Sequence, residues 1–89
     1  MRITLELFGA SRDFSKKDYL EFEFQNKASV EDLRNKIIQY LDKNFNGNKK
    51  FINIVKSSAF SSEDNQIISD NYKITKDQKI AIIPPIGGG

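Results

Sequence analysis

The sequence predicts a single α+β roll, a mixed sheet covered by one main helix, and three observations carry that prediction. Two stretches near the start alternate apolar and polar residues with period two, as strands with one buried face do. A capped stretch with helical spacing comes after them. The most apolar run of the chain comes last, directly before a proline pair and a run of glycines. With 89 residues, 38% of them apolar and seven of them phenylalanine, the chain can build one small core and is too short for two.

Ile3, Leu5 and Leu7 alternate with Arg2, Thr4 and Glu6 to give strand one, and Leu20, Phe22 and Phe24 alternate with Glu21 and Glu23 to give strand two. The polar link between them, Ser11-Arg12-Asp13 and Ser15-Lys16-Lys17-Asp18, reads as an extended hairpin connection with Phe14 tucked beneath it, and antiparallel pairing is the natural outcome. Ser29 is placed as an N-cap with Asp32 at N3, and Glu31 and Asp32 supply negative charge to the first turn of a helix. Ala28 and Leu33 stand at the positions of a hydrophobic staple. Val30, Leu33, Ile37 and Leu41 then form one apolar stripe, and residues 44–48, around Gly47, end the helix. That stripe could bind a partner, but two half-buried strands need a cover and the helix supplies one.

Phe51-Ile52-Asn53-Ile54-Val55 reads as a third strand. Residues 57–65 carry serines, charges and one aromatic, Phe60, so they offer little to bury and are expected to be mobile, with Phe60 tucked under its own loop or presented to a partner. After the short apolar piece Ile67-Ile68 and a turn-rich stretch holding Tyr72 and Ile74, residues 79–83 form the last strand, apolar at consecutive positions as a central strand buried on both faces would be. Leu5, Leu7, Phe22, Val30, Leu33, Ile37, Ile54, Ile80 and Ile82 are expected to meet in one core. A hairpin, a covering helix and further strands ending in a central one is the order of the β-grasp, or ubiquitin-like, roll. Residues 1–83 would form that domain and residues 84–89 a flexible C-terminal diglycine tail.

The end of the chain is read as its working part. Pro84 and Pro85 lack a backbone N–H and hold φ fixed, so they stop the strand and stiffen the chain beyond it. After Ile86, the glycines Gly87, Gly88 and Gly89 have no Cβ and can enter a slot too narrow for any side chain. Such a thread delivers the carboxylate of Gly89. The plain alternative is a frayed end; a buried-type strand, a proline stop and a glycine run joined without a break argue for a device.

Composition excludes several functions. The formal charge is only +2, with both signs interspersed, so no phosphate-neutralising stripe is evident and direct nucleic-acid binding is not expected. The chain has no cysteine and no histidine, which removes disulfides, thiolate chemistry and the usual general base and metal ligands. A hydrolase or metalloenzyme acting alone is therefore not expected. No apolar run approaches membrane-spanning length and the start alternates rather than forming a signal-type block, so a cytoplasmic protein is the expectation.

Three patches resemble the ubiquitin-like sulfur carriers, the family of the molybdopterin synthase small subunit, the archaeal small modifiers and the ubiquitin-related modifier. They are Leu7-Phe8-Gly9-Ala10 with Arg12, Ala28-Ser29-Val30-Glu31-Asp32-Leu33, and above all Ile80-Ala81-Ile82-Ile83-Pro84-Pro85-Ile86-Gly87-Gly88-Gly89. The stretch Phe51-Ile52-Asn53-Ile54-Val55-Lys56, read as a strand, resembles the archaeal branch. Asp77-Gln78 and Ser57-Ser58 depart from the family, which has Gly-Asp and a glycine at those turns, and Gly87 stands where a side chain is commoner.

The resemblance implies that a partner of the ubiquitin-activating type, using ATP and magnesium, converts the Gly89 carboxylate to an acyl-adenylate, while this chain binds no cofactor and catalyses nothing. The adenylate would pass to target-protein lysines as a tag. Otherwise it would become a thiocarboxylate that supplies sulfur for tRNA thiolation or for molybdopterin synthesis with a large synthase subunit. The archaeal likeness leans toward a modifier that also carries sulfur. A dedicated synthase subunit and a noncovalent adaptor are the alternatives.

Overall fold

The computed structural model describes residues 1–86. Strand β1 (Arg2–Leu7) and strand β2 (Tyr19–Glu23) form the expected antiparallel hairpin, with Leu5 opposite Leu20 and Ile3 opposite Phe22. The link between them is wound rather than extended: Gly9–Phe14 form a 3-10 helix that carries Phe14 into the core. Two short strands, β3 (Ala28–Ser29) and β6 (Lys73–Ile74), pair with each other beside helix α1 (Val30–Asn44). The main sheet runs β2-β1-β7-β4-β5, where β4 is Ala59–Ser61, β5 is Ile67–Ile68 and β7 is Gln78–Ile83. It is mixed because β7 lies parallel to β1 and antiparallel to β4.

Helix α1 starts where its chemistry requires. The Ser29 hydroxyl accepts from the Asp32 N–H (3.1 Å) and the Asp32 carboxylate accepts from the Ser29 N–H (2.9 Å), a reciprocal cap. These hydrogen bonds from Ser29 hold the Asp32 carboxyl below its usual value of 3.8. A group with a lowered folded-state pKa contributes stability above its unfolded pKa and loses that contribution as pH falls through the folded one. Asp32→Asn should therefore flatten part of the acid-side loss of stability below pH 3.8, checked by urea melts at stepped pH against the parent protein. Val30, Leu33, Ile37 and Leu41 are all fully buried, so the stripe is the core face.

Four further expectations are corrected. Phe51-Ile52-Asn53-Ile54-Val55 is not a strand but the body of a second helix, α2 (Lys49–Ser57). Asn48 caps it, accepting from the Phe51 N–H at 3.2 Å, directly after Gly47 has turned the chain at φ +68°. Phe51 then packs on Phe14 and Phe45, with ring centroids 5.2 and 5.1 Å away, and Val55 is fully buried. Residues 57–65 also bury more than expected. Ala59–Ser61 form β4, and Phe60 lies in the central core opposite Ile82. The buried hydroxyls of Ser58 and Ser61 donate to nearby carbonyls, Ile54 and Ser62, so their burial leaves them satisfied.

The third correction concerns β7, which is central but buried on one face only: Ile80 and Ile82 are inaccessible, Ala81 is half-buried and Ile83 is 37% exposed. The fourth concerns Ile54, which packs against the core from α2 without being fully buried, whereas the other expected core residues all lie inside. Ile74 and Phe14 are core residues beyond that expected set.

Arg34 joins these elements. Its guanidinium donates to the carbonyls of Val55 (2.6 Å) and Ser58 (2.9 Å), pairs with Asp70 (2.7 Å) and lies 4.8 Å from the Phe60 ring centre. It thereby adds a second donor to the Val55 carbonyl, which also accepts from the Ser58 N–H, at the end of α2, and ties α1 to β4 through the Phe60 ring. Arg34→Ala should cost about 1.5–3 kcal/mol in chemical denaturation. Lysine should restore little of this, because a point charge cannot replace a planar fork.

Candidate functional site: the root of the C-terminal tail

The site is built where β7 leaves the sheet. This strand is held between β1 and β4, and its last pairing, Ile83 with Ala59, is followed at once by Pro84 and Pro85. Neither proline can extend the ladder. Pro84 is half-buried, Pro85 is exposed and Ile86 is fully exposed. The expectations placed on Gly87, Gly88 and Gly89 lie outside the described residues.

The Leu7-Phe8-Gly9-Ala10 stretch packs against this root. Gly9 has φ +55°, a left-handed conformation that strains any residue with a Cβ, and it lies near the Pro84 ring. The turn is locked by Ser11, whose buried hydroxyl donates to the Phe8 carbonyl (2.6 Å) and accepts from the Phe8 N–H (3.0 Å). Phe8, 41% exposed, and Ile83 thus give the tail root an apolar outer side.

The inner side is a cavity of about 480 Å³ bounded by Ala10, Pro84 and Pro85 and by Lys50, Asn53 and Ile54 of α2. Reading their stretch as a strand hides these α2 residues from the site. Their spacing of i, i+3 and i+4, preceded by a capping asparagine, is the signal that marks a helix face. Nothing in this arrangement pairs a nucleophile with a base. Among the described residues no group of three or more His, Cys, Asp or Glu side chains is placed to hold a metal ion, and no helix is long and apolar enough to cross a membrane. The glycine expected by resemblance before the last strand is replaced without a break: Asp77 accepts from the Arg2 N–H at 2.8 Å and fastens the start of β1.

A sheet ordered β2-β1-β7-β4-β5, with parallel central strands and a helix across its inner face, is a β-grasp. No family model matches the sequence and no curated protein does. In fold, the chain is similar to a protein from Pyrococcus furiosus described as molybdopterin converting factor, subunit 1, with a TM-score of 0.70 and 17% identity over 96% of this chain and 98% of that one. It is also similar to SAMP1 from Haloferax volcanii, with a TM-score of 0.69 and 13% identity over the full length of both. At these identities the likeness establishes the fold. Both neighbours agree with the resemblance carried by the sequence.

Proposed function

We infer that this chain is a ubiquitin-like carrier whose Gly89 carboxylate is activated by a partner enzyme. The observation that carries this reading is the joint at the tail root: the central strand of a β-grasp sheet ends in Pro84-Pro85, Ile86 projects fully exposed, and a glycine run comes next. A carboxylate is a poor electrophile. Attack of its oxygen on the α-phosphorus of the partner's magnesium-bound ATP gives an acyl-adenylate and releases pyrophosphate. Displacement of AMP by hydrosulfide gives a thiocarboxylate, and displacement by a lysine amine gives an isopeptide. This chain contributes the acyl group and a docking body, and the partner contributes catalysis in the cytoplasm.

The preference for a tag over a sulfur donor rests on the likeness of Phe51-Ile52-Asn53-Ile54-Val55-Lys56, read as a strand, to the archaeal branch. Because this stretch is helical, that argument lapses and both acceptors stay within the proposal. The name of the Pyrococcus neighbour supports a third arrangement, a small subunit seated on a larger synthase subunit. Mass spectrometry of the C-terminal peptide, from protein purified from its own cells, tests the reading. Replacement of one oxygen by sulfur marks a sulfur carrier and a lysine-linked remnant marks a tag. A C-terminus that stays a free carboxylate throughout, with a noncovalent partner, would contradict activation.

A further inference from the structure

We propose that the 3-10 helix Gly9–Phe14 is a rigid post that sets the direction in which the tail leaves the domain, and that Gly9 and Ser11 act through it as positioning residues for activation of the Gly89 carboxylate. The proposal rests on the activated-carboxylate reading. It adds a role for residues that carry no chemistry of their own.

The post is held at both ends. At its start Ser11 is fully inaccessible, and its hydroxyl donates to the Phe8 carbonyl at 2.6 Å and accepts from the Phe8 N–H at 3.0 Å. The Ser11 N–H adds a bond to the same carbonyl at 3.1 Å. At its end Phe14 is buried with its ring centre 5.2 Å from that of Phe51 in α2, and the Phe14 carbonyl accepts from the Tyr40 hydroxyl of α1 at 2.8 Å. Runs of 3-10 helix longer than about four residues are uncommon. This one has six, gripped by a side-chain lock at one end and by both helices at the other.

The tail root leans on this post. A Cβ built on Gly9 would stand 3.9 Å from the Pro84 Cγ and 4.0 Å from its Cδ, which is ordinary van der Waals contact, so lack of room does not require the glycine. Its φ of +55° does. Ala10, the next residue, bounds the same cavity as Pro84 and Pro85. The two prolines hold their own φ fixed and cannot extend the ladder, so their direction depends on Ile83 before them and on what they touch. A tail that leaves in one direction meets the partner's slot already oriented, which lowers the ordering cost of threading. It changes nothing at the carboxylate itself. Loss of the post should therefore raise KM for the chain and leave kcat unchanged.

The test compares Gly9→Thr, Gly9→Asn and Ser11→Ala with the parent chain. Threonine and asparagine are polar and similar in size, but asparagine adopts the left-handed region readily and a β-branched residue is a genuine outlier there. Residual dipolar couplings of the Pro84 and Pro85 Cα–Hα bonds, referred to those of β7, report the direction of the tail root. ATP–pyrophosphate exchange at varied chain concentration gives KM and kcat. Gly9→Thr and Ser11→Ala are expected to pull the proline couplings toward zero and to raise KM about tenfold at unchanged kcat, the equivalent of freeing about one residue of backbone. Gly9→Asn is expected to keep both near the parent. Should Ser11→Ala fail to fold, the Gly9 pair decides. The proposal is overturned if the prolines keep the parent couplings in Gly9→Thr, or if kcat falls while KM holds. It is equally overturned if Gly9→Asn and Gly9→Thr lose activity alike, which would mark Gly9 as a contact surface. A parent chain that supports no exchange would contradict activation itself, and the couplings would then decide whether the post fixes the direction.

Discussion

Replacing Ile82 by alanine should lower the stability of the domain by about 2–5 kcal/mol. Ile82 is fully inaccessible on the central strand, opposite Leu7 of β1 on one side and Phe60 of β4 on the other, so truncation leaves a cavity among the side chains of the core. A small domain has only about 5–15 kcal/mol in total. At about 4–8 °C per kcal/mol the melting temperature should fall by at least about 8 °C. Ile83 supplies the internal control: it lies next in the same strand but is 37% exposed on the outer face, and Ile83→Ala should cost less than about 1 kcal/mol. Equal losses at the two positions, in matched denaturant melts, would contradict the one-sided burial of β7.

The contrast between these neighbours also marks where the sequence was legible. Alternation in Ile3, Leu5, Leu7 and in Leu20, Phe22, Phe24 gave the hairpin because one face of each strand meets the core and the other meets water. The reciprocal cap of Ser29 and Asp32 gave the start of α1 because that chemistry is local. Four consecutive apolar residues at Ile80-Ala81-Ile82-Ile83 suggest burial on both faces, yet among the described residues no helix covers the outer side, where Ile83 is 37% exposed and Phe8 41% exposed.

The misread stretch has a different cause. Phe51-Ile52-Asn53-Ile54-Val55 is short, apolar and rich in β-branched residues, and a run of that length suits either a strand or a helix face. What decided it lay outside the run, in the Asn48 cap and in packing against Phe14 and Phe45. Phe60 and Arg34 were hidden for the same reason. The serines around Phe60 suggest a solvated loop, while its partners are Ile82 and the Arg34 guanidinium. Arg34 looks like one more charge on a helix, and its carbonyl partners, Val55 and Ser58, lie in the last turn of α2 and at its C-cap. Of the candidate site, the prolines and glycines were legible as a motif, and the wall contributed by Lys50, Asn53 and Ile54 was not.

Deleting Gly88 and Gly89 should abolish ATP–pyrophosphate exchange by the cognate activating enzyme and leave the melting temperature nearly unchanged. The two effects separate because all the buried residues that form the core precede Pro84, whereas the acyl group to be adenylated lies beyond it. From Pro84 onward, extended chain can reach roughly 20 Å at about 3.3 Å per residue, and removing two residues both shortens that reach and places a side-chain-bearing segment nearer the new carboxylate. The measurement is exchange of labelled pyrophosphate into ATP, with the enzyme, magnesium and saturating amounts of either the full chain or the deleted one. The account predicts exchange with the full chain, none above background with the deletion, and overlapping thermal melts. Full exchange with the deleted chain would show that the Gly89 carboxylate is not the activated group.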